Sequence, residues 1–237
     1  NSTADAVRRT PMTSPARHLA LRGLCIRTMA WLAGLLCLTG AMAQQANVHG
    51  AQLEGRLASA RDDAKVAEAM LKTGRKVAAI CANCHGDSGN STKPDVPNLA
   101  GQNVAYLLEQ FRQFADGRRR NEFMQGMIKA MSIDETVGAA MFFATQTVTP
   151  RSMPHSDQVA HGRDIYQKTC FRCHGDNGMG NEKIARIAGQ QPQYLVLSLK
   201  RYRNGGGVRT DPLMVANTKL LTDTQIDVLA AYVSTLR

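Results

Sequence analysis

Apolar positions along the chain fall into helical rather than strand-like patterns. Val104, Leu107, Leu108, Phe111 and Phe114 share one face of a helix, with polar residues between them. Ala139 to Phe143 (A-A-M-F-F) and Leu229 to Val233 (L-A-A-Y-V) form denser apolar runs. Each of these is preceded by a helix-start signature, Ser132 with Glu135 and Thr222 with Gln225, the pattern of a capping box. Upstream, Leu53, Leu57, Ala60, Ala64, Ala67 and Leu71 draw a thin, alanine-rich stripe. It predicts a marginal helical extension over 44–73 that lies on the domain after it. Met29 to Leu38 is a different pattern, a continuous apolar run about half the ~20 residues a membrane-spanning helix needs. Arg17, Arg22 and Arg27 precede it and Ala41-Met42-Ala43 follows, which predicts a cleavable export signal over 1–43.

The helical pattern occurs twice. Gly74-Arg75-Lys76 matches Gly162-Arg163-Asp164, Ala100-Gly101-Gln102 matches Ala188-Gly189-Gln190, and Tyr106-Leu107 matches Tyr194-Leu195. Phe114 to Gly117 matches Tyr202 to Gly205. This is a tandem duplication of one small helical domain. The first copy is expected over 74–147 and the second over 159–237. A linker over 148–158 carries Pro150 and Pro154.

Composition narrows the class. Aromatic residues make up only 5% of the chain, low for two ordinary cores. The formal net charge is +10, and +4 of it belongs to residues 1–43, which hold five arginines and one aspartate. A mildly basic remainder argues against nucleic-acid binding. Four of the six cysteines lie in a doubled motif, Cys81-Ala82-Asn83-Cys84-His85 and Cys170-Phe171-Arg172-Cys173-His174.

C-x-x-C-H is a signal for covalent haem attachment. The two thiols reach the vinyl groups of one porphyrin, and the next histidine lies under the iron. A zinc site built from the cysteines leaves His85 and His174, both in register, without a role. The expected cofactors are two haem c groups, held by Cys81 and Cys84 and by Cys170 and Cys173. Electron-transfer haems of this kind take a methionine sulfur as the sixth ligand. Met214 is the only methionine between the middle and last helices of the second copy, eight residues before Thr222. Met124 stands eight residues before Ser132 and is favoured over Met127 and Met131 on that register. The expected axial pairs are His85 with Met124 and His174 with Met214. The second ring nitrogen of each histidine needs an acceptor, expected in the segment 97–102 and at the aligned Ala185.

Over 74–237 the chain resembles the dihaem cytochrome c4 family: two C-x-x-C-H-G motifs, a later L-A-G-Q or I-A-G-Q, Y-L, a methionine and a closing A-A-Y-V-like helix. It departs from the family pattern with Ala185 for a proline and Phe142 for a tyrosine. The resemblance implies an all-α fold of two class I cytochrome c domains, each around one covalent haem. It implies a periplasmic carrier of single electrons, soluble or peripherally membrane-associated, and not an enzyme. Expected partners are redox proteins such as a terminal oxidase, a reductase or a dehydrogenase, with no nucleic acid. The alternative is the electron-accepting subunit of a flavocytochrome-type dehydrogenase complex. The basic stretches Arg118-Arg119-Arg120 and Lys200, Arg201, Arg203 and Arg209 are expected to meet an acidic partner or the haem propionates.

Overall fold

The computed structural model describes residues 50–149 and 156–237. The expected export signal, Pro150 and Pro154 lie outside the described residues. Every regular element among the described residues is a helix, and none of these is long and apolar enough to cross a membrane.

The stripe over 44–73 contributes to two helices, not one. Helix α1 covers 50–62 and α2 covers Ala64–His85. Asp63 divides them: its backbone is extended, and its side chain accepts from the N–H groups of Lys65 and Val66. A short acidic side chain that satisfies free amides in this way starts a new helix rather than continuing the old one. Leu53, Leu57 and Ala60 of α1 are buried in the first core. Helix α2 is 22 residues long and runs unbroken from the stripe into the first cysteine motif.

The first half continues with α3 (Val104–Ala115), α4 (Glu122–Lys129) and α5 (Ile133–Ala144). The second has α6 (Ser156–Ile165), a π-turn (Tyr166–Cys170), α7 (Phe171–His174), α8 (Pro192–Asn204), α9 (Pro212–Thr218) and α10 (Asp223–Thr235). Both expected capping boxes form, at Ser132 with Glu135 and at Thr222 with Gln225. Leu107, Leu108, Phe111 and Phe114 of α3 are all buried.

Each half is closed by its first and last helices, which cross with their backbones in contact. A Cβ on Gly74 would lie 1.9 Å from the Gly138 carbonyl oxygen, and one on Gly162 would lie 2.0 Å from that of Val228. Only glycine fits on α2 and α6 at these points. The copies differ between crossing and motif: seven positions separate Gly74 from Cys81, and eight separate Gly162 from Cys170. The π-turn takes up the extra residue. Buried Tyr166 lies on it, its ring tilted against that of Tyr232 with centroids 5.3 Å apart and its hydroxyl donating to Gly175 O at 2.6 Å.

The halves pack together along a polar seam within one compact unit. Asn103 Nδ2 donates to the carbonyls of Met179, Asn181 and Ile184. Asn98 Nδ2 donates to Gly189 O at 3.0 Å, and Gln191 Nε2 donates to Ser91 O.

Candidate functional site

Each cysteine motif ends its helix and turns sharply. Gly86 (φ 80°) and Gly175 (φ 77°) follow the two histidines in a conformation that side chains disfavour. At Gly86 a Cβ would also lie 2.2 Å from Asn90 O. The turn returns the chain so that a main-chain carbonyl faces each imidazole. His85 Nδ1 lies 2.9 Å from Pro97 O, and His174 Nδ1 lies 2.9 Å from Ala185 O. A carbonyl can only accept, so each Nδ1 carries the proton and each Nε2 keeps its lone pair. Burial is the main force on both rings and holds them below the usual histidine range, outweighing the opposite effect of the carbonyls. The result is two buried, neutral imidazoles with one nitrogen oriented and the other able to ligate a metal. Because the acceptor is main chain, alanine at 185 serves as well as proline at 97.

None of the four motif cysteines is paired in a disulfide. Cys81 and Cys170 pack against the two cores, and burial pushes their thiols up, Cys170 to about 11. Cys173 is exposed. No group of three or more His, Cys, Asp and Glu side chains arranged to hold a metal ion occurs among the described residues.

The methionines singled out by register occupy equivalent places. Met124 is the third residue of α4, its N–H held by the Asn121 cap. Met214 is the third residue of α9, held in the same way by Asp211. Met127 lies three residues further along α4, and Met131 lies beyond its end. Immediately before each selected methionine stands a large apolar side chain left open by the protein, Phe123 at 67% and Leu213 at 64% exposure.

One feature at the seam is not legible as a pair in the sequence. Arg119 and Arg209, each five residues before its methionine, converge from the two halves. Arg119 donates to Gln110 Oε1 at 2.8 Å and to the Tyr194 hydroxyl at 3.0 Å. Arg209 is buried and donates to the hydroxyls of Tyr202, at 3.2 Å, and Tyr194. Among the described residues no carboxylate pairs with either guanidinium. Two inward cations without an anion are costly by themselves. Burial and the charge of Arg209 both act to lower Arg119. Burial alone would raise the Tyr194 hydroxyl, but Arg209 and Arg119 together pull it below the usual tyrosine range. This donor set fits haem propionates. Three other basic residues of these stretches are compensated: Arg118 pairs with Asp116 and Glu109, and Lys200 and Arg203 pair with Asp223.

Paired C-x-x-C-H helices, oriented neutral histidines and matched methionines in two all-helical halves define a c-type cytochrome with two haem sites. Comparison with known proteins agrees. Residues 157–233 match the family model described as cytochrome c oxidase, cbb3-type, subunit III. A cytochrome c4 from Thiocapsa roseopersicina is 30% identical over 175 residues, 68% of this chain and 89% of the relative. A thiosulfate dehydrogenase electron acceptor from Thiomonas intermedia is 32% identical over 171 residues, 66% of this chain and 78% of the relative. The crystal structure of reduced recombinant cytochrome c4 from Pseudomonas stutzeri matches with a TM-score of 0.64 at 28% identity, covering 70% of this chain and 98% of that one. The chain belongs to the cytochrome c4 family. It is a dihaem electron-transfer protein, all-α, with two covalently bound haem c groups.

Proposed function

We propose that this chain works in the periplasm as a mobile carrier of single electrons and catalyses no reaction of its own. Its domains run over 74–147 and 159–237, with 44–73 as an extension on the first. Cys81 and Cys84 hold one haem, with His85 and Met124 as axial ligands. Cys170 and Cys173 hold the other, with His174 and Met214. The haem iron supplies reversible one-electron chemistry when bound. The protein does the rest: the Pro97 and Ala185 carbonyls fix the tautomer of each histidine, and thioether sulfur favours the ferrous state. Arg119 and Arg209 are the cations proposed for the propionates.

The observation that carries this reading is the doubled orientation of neutral imidazole, 2.9 Å from a main-chain acceptor in both halves. An optical redox titration of protein matured with haem tests it. Two haems per chain and a weak red iron–sulfur band are expected. Met124→Ala should remove about half of that band and Met214→Ala the remainder, each haem contributing one ligand bond. A band unchanged in Met124→Ala would transfer the role to Met127 or Met131.

The likeness to a thiosulfate dehydrogenase electron acceptor favours a second reading, in which the chain accepts electrons from a dehydrogenase. Rapid reduction of the haems by such an enzyme and its substrate would favour it over a free shuttle.

A further inference from the structure

The two histidine sites are joined across the seam by side chains outside both motifs. His85 Nδ1 donates to the carbonyl of the Pro97–Asn98 peptide. The N–H of that same peptide, on Asn98, donates to Gln190 Oε1 of the other half at 2.7 Å. Gln190 Nε2 returns to Asn98 O at 3.0 Å and closes a two-bond clamp. The arrangement recurs in the opposite sense. His174 Nδ1 donates to the carbonyl of the Ala185–Arg186 peptide, whose N–H on Arg186 donates to Gln102 Oε1 at 2.8 Å. Gln102 Nε2 donates to Arg186 O at 2.8 Å. Gln102, Gln190 and Asn98 are all buried.

A peptide group whose N–H is hydrogen-bonded is a better acceptor at its oxygen, and away from water this polarisation passes along the chain. A stronger acceptor on the distal nitrogen of a ligating histidine makes the imidazole a stronger electron donor and favours ferric iron. We propose that Gln190 and Gln102 are crossed positioning residues: each, through one peptide group, sets the hydrogen bond on the proximal histidine of the opposite domain. The potential of each haem is then partly set by the other half of the molecule, and a movement at the seam shifts both. This rests on His85 and His174 being the iron ligands.

The test uses reduced holoprotein labelled with nitrogen-15 at histidine, together with a redox titration. In Gln190→Leu the His85 Nδ1–H resonance should move upfield and the potential of that haem should rise, while the His174 resonance stays. In Gln102→Leu the pattern should be reversed. Gln190→Met and Gln102→Met, which keep the side-chain length, should repeat it if leucine disturbs packing. A merely structural role would loosen the seam in either variant and move both histidines together. That outcome overturns the proposal, as does a shift within the same domain or no shift at all. Haem count and the wild-type spectrum separate the two layers. If wild-type protein lacks two haem-bound histidines, the ligand assignment fails. If it has them and the crossed pattern is absent, only the coupling fails.

Discussion

Glycine shows at the residue scale how context reverses the sign of a substitution. Alanine is intrinsically better than glycine in a helix interior by about 1 kcal/mol. Gly55 in α1 has nothing within 4 Å of an added Cβ, so Gly55→Ala should stabilise the protein by somewhat less than ~1 kcal/mol. Gly74 would place that atom 1.9 Å from a backbone oxygen that no rotamer change can move. Overpacking of this kind costs about 1–3 kcal/mol or more and outweighs the propensity gain. Gly74→Ala should therefore lower the unfolding temperature of the holoprotein while Gly55→Ala raises it, as read by calorimetry. The histidine acceptors were legible at this scale because a main-chain carbonyl survives any substitution. The convergence of Arg119 and Arg209 was not, since a run of three arginines does not reveal which one turns inward. Arg118 finds Asp116 and Glu109, and Arg119 finds tyrosine and glutamine.

Helix ends carry the prediction at the scale of elements. In the Ser132 box, the Ser132 backbone N–H and then its hydroxyl hold the Glu135 carboxyl below the usual carboxylate range. A carboxyl lowered on folding adds stability above its unfolded value, roughly 4.3, and that contribution disappears as pH falls through the lower folded value. Ser132→Ala should cost about 1 kcal/mol at neutral pH. Denaturant titrations should show the difference from wild type shrinking once the pH falls below the ordinary carboxylate range. The capping boxes and the buried face of α3 were readable from local pattern. The break at Asp63 was not, because the apolar spacing continues through it and only a side-chain competition for two amides ends the helix. The π-turn was hidden for another reason. The one-residue difference between the copies is present in the sequence, but aligned glycines and cysteines do not say where a helix absorbs it.

The seam decides how the whole molecule unfolds. Asn98 and Asn103 bring side-chain amides of the first half onto main-chain carbonyls of the second. Removing Asn98 leaves a buried carbonyl unsatisfied, at roughly 1–3 kcal/mol, while the Asn103 bonds lie nearer solvent and contribute less. The double variant Asn98→Ala, Asn103→Ala should split a single calorimetric transition into two while each half keeps its haem spectrum. One unchanged transition would mean that the halves hold together by other contacts. Side chains on one half mostly meet backbone on the other, and Gln102 and Gln190 occupy the same position in the duplicated pattern. Contacts that return on themselves under a half-turn are those of a symmetric homodimer. The tandem chain is thus arranged as a dimer whose two subunits have been joined end to end. The glutamine clamp each half presents to its neighbour would fit equally between two identical copies, so that part of the seam did not need the duplication in order to exist.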